Sequence, residues 1–216
     1  FEDIDSMREA VDNADFMELI QESYREAGFE LLGYADQGFR VMSSNKAVED
    51  FSDFKGQKIR TMEDPYQLAF WKELGSNPTP MNFSEVYIGL QQNTIDAQEN
   101  PYEVIVSNRL YEQQDYIIET NHVPHLISLI VSESFFEELP KEDQQILIEA
   151  QEIAKAYARE QSDERISERI QIIRDSGTEI ITLDDGTMEA MKKASAPVYD
   201  QIAEVVDEEI LKFYSE

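Results

Sequence analysis

Residues 57–75 read QKIRTMEDPYQLAFWKELG. Gln57 to Met62 alternates polar and apolar, the period of a strand with one buried face. Pro65 then suits the first turn of a helix, where its missing N–H costs nothing, and Gly75 closes that helix after Leu74. A strand feeding a helix through a short turn is the repeating unit of an α/β fold.

The same alternation continues on both sides. Asp5 to Ala27 has helical apolar spacing and stops at Gly28. Phe29 to Tyr34 and Phe39 to Ser44 read as two short strands. Downstream, Ser84 is placed to cap a helix over Glu85 to Gln92. Asp96 to Glu99 is a short extended piece, and Asn100-Pro101 opens another helix. Tyr116 to Glu119 and Leu126 to Ser132 read as strands, the second apolar enough to be buried. From Lys141 a charged amphipathic helix runs to about Asp175, on the order of 50 Å at 1.5 Å per residue. That length exceeds one small domain and suits a helix bridging two lobes. Thr178 to Leu183 is a last strand, and Gly186 to Phe213 a last helical region.

Composition bounds the function. The chain has 216 residues, 41% of them hydrophobic, enough for a real core. With 46 acids against 18 Lys and Arg, the net charge is −28. Nucleic acid needs clustered cations and an anionic membrane surface needs the same, so neither is an expected partner. No apolar run is long enough to insert directly into a bilayer. Phe1 opens into an acidic segment, with no leader pattern at that point. There is no cysteine, which removes disulfides and thiolate chemistry.

Catalytic patterns are missing as well. The eight glycines form no G-x-G-x-x-G, no G-K-[ST] occurs, and no serine lies in a G-x-S-x-G elbow. The two histidines, His122 and His125, sit in a turn entering a strand, where a hydrogen-bonding role is expected and a metal site is not. No cofactor is expected, and the chain does not read as an enzyme. Arginine is the informative residue. Arg60 lies inside an alternating strand and Arg40 opens another. A buried guanidinium needs a carboxylate or phosphate beside it. That partner is either one of the chain's own acids or a bound ligand.

The run from Gly38, GFRVMSSNKAVEDFSDFKGQKIRTMEDP, followed by ELGSNPTPMNFSEVYIGLQQNTIDAQENP to Pro101, closely resembles the solute-binding subunits of tripartite ATP-independent periplasmic (TRAP) transporters. The ordered set K-I-R, G-x-N-P-T-P-M, F-S-E-V-Y, L-Q-Q and Q-E-N-P carries the likeness. NRLYEQQDYIIETNH and LPKEDQQILIEA extend it, so that it covers essentially the whole chain. The resemblance implies a two-lobed periplasmic-binding-protein-like α/β fold with a long lobe-spanning helix and ligand in the interlobe cleft. Lobe one is expected over 1–37 and 126–165, with its first strands missing, and lobe two over 38–125 and 166–216. An incomplete first lobe is expected to expose apolar surface.

The implied function is capture of a small organic acid outside the cytoplasm, in the periplasm where there is one, and its delivery to the TRAP membrane subunits. A ligand-sensing receptor module of the same fold is the alternative. Arg60 matches the arginine that grips the ligand carboxylate through two parallel hydrogen bonds. Asn100 matches a residue bonding the same group, and Phe83 an apolar wall that is otherwise simple core. Arg40 matches a position that in some members also reaches the ligand. Glu63 and His125 fall where members differ and are selectivity candidates.

Overall fold

The computed structural model describes Phe1 and residues 3–215. They form ten α-helices and six strands, interleaved from β1 to β6 and flanked by helices at both ends. Two compact units emerge: residues 1–38, 124–165 and 206–216 in the first, and 39–123 and 166–205 in the second.

The first unit opens with α1 (Ile4–Asp12) and α2 (Ala14–Glu26). The sequence pattern suggested one continuous helix. Asn13 divides it, because its side chain accepts from the N–H groups of Asp15 and Phe16 and so caps a new helix. Met7, Val11, Phe16, Leu31 and Tyr34 form the core of this unit together with Ile210. Residues 206–216 therefore belong here and not with the second lobe as expected. Ile210 is buried among those residues, and Phe213 packs edge-on against Phe16 at 5.6 Å.

β1 (Phe29–Ser44) is one 16-residue strand where two were expected, with the intervening Gly38 at φ 72°. β2 (Lys58–Thr61), α3 (Pro65–Glu73) and β3 (Asn77–Pro80) follow. α3 begins as its sequence dictates: the Asp64 carboxylate accepts from Gln67 N–H and Pro65 occupies the first turn. Gly75 at φ 86° ends the turn that follows.

α4 (Phe83–Gln91) starts two residues earlier than Ser84 suggested, with Asn82 at its N-cap. β4 (Ala97–Pro101) runs directly into α5 (Tyr102–Ser107), so Asn100 and Pro101 end a strand and Pro101 is at the same time the N-cap of the helix they were expected to open. β5 (Tyr116–Ser132) is likewise a single strand of 17 residues. Its second half is not buried as expected: Ile127 is 38% and Ile130 44% exposed.

α6 (Glu133–Glu138) leads to α7 (Lys141–Asp175), 35 residues long, whose residues to Arg165 belong to the first unit and the remainder to the second. β6 (Glu179–Thr182), α8 (Asp185–Ala194), α9 (Ala196–Ala203) and α10 (Glu208–Ser215) complete the chain.

The sheet is mixed, in the order β3-β2-β4-β1-β5-β6. β2 runs parallel to β3 and β4, β4 antiparallel to β1, and β5 parallel to β6. Strand alternation supplies both faces at once. Met42, Ile59 and Ile118 point into a core with Trp71 of α3, Leu74 at its C-cap and Met191 of α8. Val41 and Ile117 point the other way, onto Val86 and Leu90 of α4 and Ile105 of α5. Burial on both faces leaves polar chemistry to the strand ends.

Candidate functional site

Arg60 is the third residue of β2 and is 4% exposed. Its Nε and Nη2 both donate to the carbonyl oxygen of Met81, at 2.9 and 2.8 Å. Its guanidinium carbon lies 5.7 Å from the centre of the Phe83 ring, a cation–π distance. Phe83 opens α4 and keeps 40% of its surface exposed, so it is not part of the buried core. Among the described residues no carboxylate forms an ion pair with Arg60. Burial pulls its pKa below the ordinary arginine value, Glu99 opposes that and Arg40 adds to it.

Arg40 takes the other course open to a buried arginine. Its Nε donates to Glu99 Oε2 at 2.5 Å and its Nη2 to Glu99 Oε1 at 2.9 Å. Nη2 also donates to Asn100 Oδ1 at 3.0 Å. The antiparallel register, with Arg40 opposite Pro101 and Met42 opposite Glu99, brings these groups together. Asn100 then donates from Nδ2 to Gln98 Oε1 at 2.6 Å, and Gln98 donates to Ser43 Oγ at 2.8 Å. A connected and satisfied network of this kind holds each amide in one orientation.

Glu99 and His122 are the members that motif reading did not single out as site residues. Glu99 is fully buried and takes a second contact from His122 Nε2 at 3.2 Å. The other ring nitrogen, Nδ1, lies 2.8 Å from Thr120 Oγ1. The ring stacks on Phe70 at 5.4 Å and meets Trp71 edge-on at 5.0 Å. Asn121, between Thr120 and His122, has φ 41°, a left-handed conformation that asparagine tolerates better than most residues. Burial pushes the Glu99 carboxyl up, but the hydrogen bonds from His122 and Arg40 outweigh it and hold the pKa below the usual carboxylate range. The available signal was the spacing in Q-E-N-P: in a strand, the acid between Gln98 and Asn100 must face the opposite side of the sheet.

The six expected residues therefore divide. Arg60 and Phe83 meet, and Arg40 and Asn100 meet through a hydrogen bond. Glu63 lies on the exposed turn between β2 and α3. His125 falls in the first unit, while the other five are in the second. Among the described helices none is long and apolar enough to cross a membrane.

Residues 1–205 match the bacterial extracellular solute-binding protein family 7, DctP, and the chain belongs to that family. It is 35% identical over 164 residues to the 2,3-diketo-L-gulonate-binding periplasmic protein YiaO of Escherichia coli, covering 76% of this chain and 50% of that protein. It is 31% identical over 210 residues to the ectoine-binding periplasmic protein TeaA of Halomonas elongata, covering 96% of this chain and 62% of that protein. A TRAP periplasmic solute-binding protein of Haemophilus influenzae, solved with bound L-gulonate, superposes with a TM-score of 0.90 at 32% identity, over 99% of this chain and 71% of that one. The chain spans 46% to 62% of the length of the curated relatives it matches.

Proposed function

We propose that the protein is the solute-binding component of a TRAP transporter, working outside the cytoplasm and in the periplasm where there is one. It takes a small organic acid and passes it to the membrane subunits without chemical change. Arg60 carries the reading. It is buried, it is braced against the Met81 carbonyl by two donors, and no acid of the described chain neutralises it. A guanidinium held so is oriented for a carboxylate, and the charge that burial disfavours is stabilised once the ligand arrives.

The remaining groups act on Arg60 and its ligand. Phe83 covers one side of the guanidinium and excludes water from it. Asn100, fixed by Arg40 and Gln98, supplies a neutral polar group on the neighbouring strand. Glu63 and His125 are the positions we assign to selectivity. Nothing in this set is a nucleophile paired with a base, in keeping with a binding role.

The names of relatives and neighbours support an organic acid but leave its kind open, since they include 2,3-diketo-L-gulonate, ectoine, sialic acid and succinate. The test is a thermal-shift screen of the protein against small carboxylates, repeated with Arg60→Met. A ligand at about 100 times its Kd adds on the order of 2.7 kcal/mol of stability. The expected result is a clear shift in the wild type that vanishes in a variant of unchanged circular dichroism. A shift of equal size in Arg60→Met would remove Arg60 from the site.

A further inference from the structure

Charge matching at the end of β2 allows a narrower statement about the ligand, one that rests on the carboxylate reading above. Four charged or chargeable side chains are buried or nearly so in this part of the second unit: Arg40, Glu99, His122 and Arg60. Three of them satisfy one another. Both Glu99 oxygens are taken by Arg40, at 2.5 and 2.9 Å, and one of them also faces His122 at 3.2 Å. Arg40 spends further donor capacity on the Glu99 carbonyl and on Asn100. His122 has both ring nitrogens engaged, its side chain is 2% exposed, and its ring is held against Phe70 and Trp71.

Arg60 is different. Among the described residues both of its hydrogen bonds go to one neutral carbonyl, and no carboxylate pairs with it. Arg60 is thus the one of these four side chains with no charged or polar side-chain partner in hydrogen-bonding contact among the described residues. The side chains that follow Arg60 past the end of β2 add no second cation, since Glu63 and Asp64 are both acids. A ligand's first carboxylate meets a buried counter-charge there. A second would need desolvation without one, beside two acids and within a chain of net charge −28.

The geometry points to a ligand with a single carboxylate whose remainder is uncharged or zwitterionic, and against dicarboxylates. This is a property of the Arg40–Glu99 pairing as much as of Arg60, because an unpaired Arg40 would make the cluster fit for two negative charges.

The test uses pairs of acids that share a carbon skeleton and differ by one carboxylate: gluconate with glucarate, 4-hydroxybutyrate with succinate, and glutaramate with glutarate. Affinities are measured by calorimetry on the wild-type protein, Arg60→Met and Glu99→Gln. The expected result is that, in each pair that binds, the monoacid is preferred by at least about tenfold, since an unpaired buried charge costs several kcal/mol. Glu99→Gln, which removes the Glu99 negative charge beside Arg40, is expected to narrow that preference. Equal or tighter binding of the diacids, still lost in Arg60→Met, overturns the single-carboxylate inference and leaves the carboxylate reading standing. An unchanged preference in folded Glu99→Gln overturns the role given to the Arg40–Glu99 pair. Binding that ignores Arg60→Met, or binding of no acid at all, overturns the carboxylate reading and this inference with it. Should Glu99→Gln fail to fold, the wild-type ratios decide alone.

Discussion

Arg40 and Glu99 form a two-point ion pair between β1 and β4, with side chains 4% and 0% exposed. The pair stands 59 residues apart in the chain and a few ångströms from Arg60's own strand. It gives one of the two arginines buried among the described residues an internal counter-charge, while Arg60, the other, donates to a backbone carbonyl.

Breaking that pair on one side should be expensive. Glu99→Gln leaves the Arg40 guanidinium buried without its counter-charge, and removing one partner of a buried pair costs about 3 to 5 kcal/mol. Chemical denaturation should show a midpoint shift of that size. A loss under about 1 kcal/mol would mean that solvent reaches Arg40 and that the pair is not closed in solution.

The same carboxylate sets an acid limit. The folded pKa of Glu99 lies below its ordinary 4.5 because His122 and Arg40 stabilise the anion more than burial destabilises it. A depressed pKa contributes stability that is fully present above 4.5 and is lost as the pH falls through the folded value. Denaturation midpoints taken from about pH 6 to about pH 3 should fall more steeply for the wild type than for Glu99→Gln. Parallel slopes would assign the acid transition to other carboxylates.

In the first unit, Arg8 joins two acids of very different exposure. It binds Asp36 at 2.8 and 3.0 Å and Asp163 at 2.9 and 2.8 Å, and these acids' side chains are 0% and 51% exposed. Asp163→Asn should cost no more than about 1 kcal/mol, as exposed pairs do. Arg8→Gln strands the buried Asp36 and should cost about 3 kcal/mol, moderated by Arg159, whose Nε is 3.6 Å from the same carboxylate. Equal losses in the two variants would show that Arg159 replaces Arg8 completely.

Gln151 of α7 offers a stabilising change. It is 5% exposed, its Nε2 and Oε1 are both buried without a hydrogen-bond partner, and its amide fills the space beside Gly33 where a side chain would otherwise stand. Methionine has a similar shape without the polar atoms. Gln151→Met should raise stability by about 1 kcal/mol or more, because an unsatisfied buried polar group costs about 1 to 3. A lowered denaturation midpoint would show that the amide is bonded in solution.

Local chemistry determined much of this protein from its sequence. Pro65 and Gly75 bracket α3, and the charged periodic run beginning at Lys141 is a helix over the span its pattern marked. These signals are short-range: a ring that sets φ, a glycine that accepts positive φ, apolar residues repeating with the helix. The arginine of K-I-R could also be singled out as a residue that needs a partner once the sheet buries it.

Which partner each arginine finds was decided only by the tertiary structure. Antiparallel pairing of β1 with β4 delivers Glu99 to Arg40, and no local rule links positions 59 residues apart. Long-range packing likewise placed α10 against Phe16, and it left Ile127 and Ile130 exposed on a stretch of β5 that reads as buried. Periodicity reports which residues could be covered. What covers them, and which charge meets which, depends on strands and helices that approach one another only when the chain folds.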